Sequence, residues 1–203
     1  MDRKQHWDSV YTTRAETEVS WFQDNPALSL ALIQNSGIAH DAALIDIGGG
    51  ASRLADALLA EGYGNLAVLD IAAAALEKSR TRLGEAASRI DWIVADITQW
   101  QPTRAYRLWH DRAVFHFLTE PSDRAAYKRA LLAGTGAGSQ IIIASFAPDG
   151  PERCSGLPVT RYSPQSLQTE LGADFVLQES RHEEHRTPGG NLQHFQFSRF
   201  ARL

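Results

Sequence analysis

The segment Ala43-Leu-Ile-Asp-Ile-Gly-Gly-Gly-Ala-Ser-Arg-Leu, residues 43–54, constrains this chain more than any other stretch. A short apolar strand runs into Asp46, three glycines turn the chain, and Ser52 opens an amphipathic helix. Glycine permits positive φ in a tight turn and lets backbone N–H groups approach a ligand with no Cβ in the way. A carboxylate two residues ahead of the first glycine faces a cationic group on that ligand and repels a pyrophosphate. Arg53 stands where Gly-x-Gly-x-x-Gly has its third glycine, which argues against a dinucleotide dehydrogenase. No Gly-Lys-Ser/Thr follows the turn, which argues against an ATPase.

The pattern of the turn extends along the chain. Apolar runs at 43–47, 66–70, 91–95, 106–110 and 139–146 read as strands, and helical stripes lie between them. Leu54, Leu58 and Leu59 form one stripe, Leu76 and Leu83 another, and Ala126, Ala130 and Leu131 a third behind Pro121, a residue suited to a helix start. Residues 26–34 read as a further helix, preceded by an aromatic-bearing segment from Trp7 to Phe22. Alternating strands and helices predict an α/β fold with a mostly parallel sheet. The tail differs: Phe175–Ser180 and Leu192–Phe200 alternate partly apolar and polar around Thr187-Pro-Gly-Gly-Asn, which is a β-hairpin signal. The 203 residues suffice for one large core and are short for two.

Asp46 is one of three acids that follow three successive strands; Asp70 comes after Leu66-Ala-Val-Leu and Asp96 after Trp92-Ile-Val-Ala. Each alone reads as a helix cap or a strand-end turn. Three in succession point to one ligand. Asp46-Ile-Gly-Gly-Gly-Ala-Ser matches Asp/Glu-x-Gly-x-Gly-x-Ser/Thr, and with the closing hairpin the chain resembles the class I S-adenosylmethionine-dependent methyltransferases over nearly its whole length. The resemblance implies an α/β fold with a mostly parallel seven-stranded sheet flanked by helices and closed by the C-terminal antiparallel hairpin. It implies one domain over 1–203, with a helical, aromatic cap over 1–36 and a Rossmann-like core over 43–203. S-adenosylmethionine is the implied cofactor, its ammonium and sulfonium suiting Asp46 beside Gly48, Gly49 and Gly50. Asp70 would accept both ribose hydroxyls and Asp96 the adenine amino group, with Ile71 and Ile97 sandwiching the ring. Asp111 or Arg112 would lie beside the methionine part.

The chemistry end is less defined. Methyl transfer from a sulfonium needs alignment and a dry pocket, and a base only where the nucleophile arrives protonated. The run Trp109–Leu118 contains no Asn/Asp-Pro-Pro-Tyr/Phe motif, which disfavours the DNA and glutamine branches of the family; it resembles the small-molecule branch. His116 is the base candidate, with Asp111 beside it, set against a purely packing role for His116 between Phe115 and Phe117. Trp21, Arg161 and Tyr162 are the candidate acceptor contacts. Arg161 otherwise reads as a solvated loop residue, and Cys154 as inert. Trp7, Tyr11, Trp21 and Phe22 read as an entry segment over the cofactor or as an anchor on the sheet. His182, His185 and His194 invite a metal reading, but His182 and His185 have odd separation on a strand and point to opposite faces. No metal site is expected.

A net charge of −4 argues against a nucleic-acid partner bound by bulk electrostatics, and no apolar run approaches the ~20 residues that span a bilayer. With a single cysteine and a polar start, a cytoplasmic location is expected. The expected activity is methylation of a small-molecule acceptor. The alternatives are a protein (lysine) methyltransferase of the same fold and a non-catalytic cofactor-binding module.

Overall fold

Five parallel strands form where the apolar runs predict them: β1 (Leu44–Ile47), β2 (Leu66–Asp70), β3 (Ile90–Val94), β4 (Tyr106–Arg112) and β5 (Thr135–Phe146). They belong to a computed structural model that describes residues 3–203; Met1 and Asp2 of the expected cap lie outside the described residues. A two-stranded ribbon of β6 (Arg153–Cys154) and β7 (Leu157–Pro158) stands apart, inside a segment whose prolines and glycines read only as loop. Strands β8 (Phe175–Arg186) and β9 (Leu192–Arg202) form the C-terminal hairpin. The main sheet has the order β3-β2-β1-β4-β5-β9-β8, with β9 antiparallel to both neighbours. Its hairpin strands run longer than the alternating segments suggest and close on a turn in which Thr187 N–H donates to Asn191 O.

Side-chain alternation sorts the sheet into two faces. Leu44, Val68, Leu108, Ile142 and Ala144 point to one face, where Leu32 and Ile33 of α2 (Ala27–Asn35), Leu54 and Leu58 of α3 (Leu54–Ala60) and Leu76 of α4 (Ala73–Leu83) cover them. Ile45, Ile47, Leu69, Trp109 and Ile143 point to the other, under Tyr127 and Leu131 of α5 (Pro121–Gly134) and Leu167 and Leu171 of α6 (Pro164–Leu171). Burial on both faces is why β1 reads as a continuous run rather than an alternating one. Each such aliphatic side chain contributes about 1.5–3 kcal/mol by leaving water. Pro121 and Pro164 open their helices where a missing N–H costs nothing, and Ser163 Oγ accepts from Ser166 N–H to cap α6.

The N-terminal helix α1 (Arg3–Thr13) packs beside α4 at the carboxyl end of the sheet, its Tyr11 against Ala51, Ala72 and Ala75. Charge fixes the segment that follows. Glu16 receives Arg53 and Arg82, each at 2.6 Å, and Arg82 also reaches Asp56 at 2.7 Å, so one acid joins the cap to α3 and α4. Arg3 pairs with Asp123 on α5.

Candidate active site

Strand order reverses between β1 and β4, and the crevice outside the carboxyl ends of parallel strands at such a point is where α/β sheets bind ligands. The glycine turn stands at its edge. Gly48 has φ +69° and donates its N–H to Leu69 O at 2.6 Å. A Cβ on Gly48 would overlap Val114, one on Gly49 the Asp46 carboxylate, and one on Gly50 the Asp70 carboxylate and Ala75. The bare turn is what lets β1, β2 and the 113–117 segment converge.

Two adjoining cavities open here and share Tyr11, Trp21, Gly48 and Arg112 in their walls. The outer one is lined by Asp70, Ile71, Asp96 and Ile97 together with Trp7, Phe117 and Cys154. Asp70 is 5% exposed, and its Oδ1 accepts from Ala72 N–H at 2.8 Å. Burial, with the Asp46 charge adding to it against backbone N–H groups of Ala72 and Gly50, pushes its carboxyl up to about 7. Asp96 Oδ1 closes a strand-end turn onto Thr98, accepting from its N–H at 2.8 Å and its hydroxyl at 2.7 Å, while the residue still lines the cleft.

The inner cavity holds an arrangement that reading the motif alone did not anticipate. Asp46 Oδ1 lies 2.7 Å from His110 Nδ1, and His110 Nε2 lies 2.9 Å from Ser29 Oγ on α2. All three are buried. Asp46 is thus held from behind by an imidazole rather than standing alone before a ligand. Strand alternation carries the missing signal, because residues 44 and 46 on β1 face the same way as residues 108, 110 and 112 on the neighbouring β4.

The same alternation turns Asp111 away. It faces α5, where its carboxylate accepts from Tyr127 Oη at 2.8 Å and from the N–H groups of Val114 and Phe115 at 2.9 and 3.2 Å. It lines neither cavity and holds the 113–117 turn in place. Burial, opposed by these hydrogen bonds, raises its carboxyl to about 6. Arg112 does reach the cleft. Its guanidinium lies over the Phe195 ring at 4.7 Å, Nη1 donates to Trp21 O at 2.9 Å, and Nη2 stops 3.8 Å from Glu183 Oε2. Nε and Nη2 of this arginine are buried without a hydrogen-bond partner.

His116, expected as a base, sits in the core instead of the cleft. The ring packs between Phe117 and Phe146 at 4.4 and 4.9 Å, and Nδ1 accepts from Phe146 N–H at 3.4 Å. Burial, and then the nearby Arg112 charge, push its pKa down to about 3, so the ring is neutral. Tyr162 is buried against Phe115 under α6, and Arg161 pairs on the surface with Glu152 at 3.1 Å; neither lines the cleft. Cys154 does line it, with burial pushing the thiol up to about 11, so it is uncharged. The aromatic segment serves as anchor and wall together. Trp7 meets Trp21 and Phe117 edge-on at 5.6 and 5.1 Å, and Trp21 Nε1 donates to Tyr11 Oη at 3.2 Å. Of the two cavities, Phe22 borders the inner one and not the outer. His185 turns inward to Ser20 O at 2.8 Å, whereas His182 and His194 face outward.

Residues 44–142, the part of the chain that builds this crevice, match a family model described as a methyltransferase domain. Residues 44–142 form a methyltransferase domain. No curated protein is similar to it in sequence at a significant level. Solved methyltransferase structures share its fold. The N-methyltransferase NodS from Bradyrhizobium japonicum WM9, solved with S-adenosyl-L-homocysteine, superposes with a TM-score of 0.72 at 16% identity, covering 99% of both chains. The 1,6-didemethyltoxoflavin-N1-methyltransferase of Burkholderia thailandensis gives 0.68 at 17% identity, over 98% of this chain and 83% of that one. A protein solved in work on conversion of a disulfide bond into a thioacetal group during echinomycin biosynthesis gives 0.79 at 20% identity, over 99% and 93%. Among the described residues, no helix of the methyltransferase is long and apolar enough to cross a membrane.

Proposed function

We propose that this methyltransferase transfers the methyl group of S-adenosylmethionine to a small-molecule acceptor whose nucleophilic atom arrives with a free lone pair. The observation that carries the reading is the cleft's lining: the Asp70 and Asp96 carboxylates, the Arg112 guanidinium with its Nε buried and without a hydrogen bond, and the uncharged side chains of Trp7, Trp21, Phe117 and Cys154. When bound, the cofactor supplies an electrophilic methyl on a sulfonium. Asp70 would accept the ribose hydroxyls, Asp96 would hold the adenine amino group through its free oxygen, and Ile71 and Ile97 would flank the ring. Gly48 would offer its backbone to the cofactor, while Gly49 and Gly50 leave room for the Asp46 and Asp70 carboxylates behind it. Arg112, with Nε and Nη2 buried and without a hydrogen bond, suits the cofactor's carboxylate.

The acceptor end supports the rest. Trp7, Trp21, Phe117 and Cys154 enclose it, which suits a compact acceptor and excludes water from a reaction that depends on alignment. No histidine lines the outer cleft among the described residues, Tyr11 and Cys154 have raised pKa values, and Asp70 is the group assigned to the ribose hydroxyls, so no further base is left for a protonated acceptor. A thiolate or a neutral amine fits this better than an alcohol. The single free thiol fits a reducing cytoplasm.

The test uses purified protein with radiolabelled S-adenosylmethionine and a cell extract separated into small molecules and protein. Label should pass to the small-molecule fraction. Calorimetry should show binding of S-adenosylhomocysteine, weakened by about 1–3 kcal/mol in Asp70→Ala through lost charged hydrogen bonds. Label confined to protein would overturn the acceptor class, and binding of a nicotinamide dinucleotide instead would overturn the activity.

A further inference from the structure

We propose that Asp149, His182 and His194 form a binding site for a zinc-like transition-metal dication, outside the cleft and independent of the methyl-transfer reading. His194 Nδ1 lies 2.8 Å from Asp149 Oδ2, His182 Nε2 lies 3.8 Å from Asp149 Oδ1, and the three ligand atoms all fall within 4.8 Å of one another. In a tetrahedral zinc site with bonds of about 2.0–2.1 Å, ligand atoms stand about 3.4 Å apart. Side-chain rotation alone would have to bring the three atoms to that spacing, since the backbone already sets them together.

The backbone presents these groups together for reasons visible in the fold. His182 pairs with Gln196 across β8 and β9, so His194, two residues from Gln196, shares its face as a diagonal neighbour. Their rings lie 5.3 Å apart. Asp149 comes from the turn after β5, which is pinned to the same strand: Ala147 N–H donates to His194 O at 2.9 Å, and Gly150 N–H donates to Ala147 O at 2.8 Å. A Cβ on Gly150 would stand 2.7 Å from His194 O, so only glycine lets the turn lie this close. The third ligand is thus supplied by a segment more than thirty residues before the first histidine in sequence.

Two imidazoles and one carboxylate are a donor set for zinc, nickel or copper, whereas magnesium and calcium prefer oxygen alone. Three protein ligands on an exposed face leave a further position to water. A cation here ties the 147–150 turn to the hairpin, and that turn leads directly into the ribbon that brings Cys154 to the cleft. The competing account is a plain Asp149–His194 ion pair that needs no metal.

Zinc chloride titrated calorimetrically into chelator-treated full-length protein separates the two. The expected result is one equivalent bound, an affinity lowered at least tenfold in each of His182→Ala, His194→Ala and Asp149→Asn, and no change in His40→Ala, an exposed histidine elsewhere. Cobalt(II) should give a visible absorption band that the same three variants lose. All three residues lie at the surface, and circular dichroism checks that the variants remain folded. Absence of zinc binding to the parent protein, or one-equivalent binding that survives His182→Ala/His194→Ala, overturns the proposal. Equal competition by millimolar magnesium overturns the donor-set argument with it.

Discussion

Three buried titratable side chains, Asp70, Asp111 and His116, show how position in the fold decides chemistry. Asp70, raised to about 7 by burial, binds a proton in the folded protein at pH values where the unfolded chain has already released it. Stability of the ligand-free protein therefore falls as pH rises from about 4 to about 7, by up to about 1.4 kcal/mol per pH unit from this group, and is level above that. Relative to the parent, Asp70→Asn should gain thermal stability between about pH 5 and about pH 8; a constant difference in Tm would show that Asp70 ionises normally. His116 acts in the opposite sense. Its pKa is lowered to about 3, so the stability of the neutral ring is lost as pH falls from about 6.5 toward 3. Replacing it by alanine should cost about 1–3 kcal/mol of stability and leave turnover of the folded fraction unchanged. A loss of about 10²–10⁴-fold in turnover, without a matching loss of stability, would return His116 to the role of proton carrier. Asp111 makes the same point without a titration, since its carboxylate is spent on the backbone of the next turn.

At the scale of elements, the strand–glycine–helix unit was legible because its physical demands are local. The turn needs positive φ at Gly48 and no Cβ at Gly49 or Gly50, and the flanking apolar periods need only counting. Gly48→Val should abolish S-adenosylhomocysteine binding and lower Tm, because the new side chain meets Val114 and a β-branched residue is strained at φ +69°. Normal binding by a folded Gly48→Val protein, read by calorimetry beside circular dichroism, would mean that the turn does not carry the ligand. The β6–β7 ribbon was not legible, since two-residue strands have no period to read. The role of His110 was legible in principle, because it shares parity with Asp46 across β1 and β4, but the parity must be applied across both strands at once. Ser29 gave no such signal, as α2 reaches the sheet only through tertiary packing.

At the scale of the whole molecule, cap, sheet and hairpin build one site from segments far apart in sequence. Glu16 joins the cap to α3 and α4, Arg112 bridges β4 to Trp21 and the hairpin's Glu183, and Cys154 enters from the loop after β5. A ligand held by all of these stabilises the folded state as a unit. S-adenosylhomocysteine at about a hundredfold its Kd should add about 2.7 kcal/mol, which for a chain of this size raises Tm by about 5–10 °C. A differential scanning measurement showing no shift with S-adenosylhomocysteine, at concentrations where calorimetry reports saturation, would mean that the unfolded chain binds it as well.

The division between what the sequence by itself determined and what only the tertiary structure decided follows from range. Periodicity, the glycine turn and the acids at strand ends act over a few residues, and they were enough for the α/β class, the parallel strands, the closing hairpin and the edge at which a ligand belongs. Which side of a strand faces the cleft depends on the register with its neighbour, and that withdrew Asp111 into the core while bringing His110 and Arg112 to the cavities; His116, in the turn after β4, is buried by packing between Phe117 and Phe146. Which histidines meet depends on pairing across a hairpin and on a turn arriving from β5, and that set His182 and His194 beside Asp149 while His185 was buried against Ser20. Contacts of this kind are made between residues whose separation along the chain carries no period. Only the packed sheet, with both faces covered and every strand held in register, settles them.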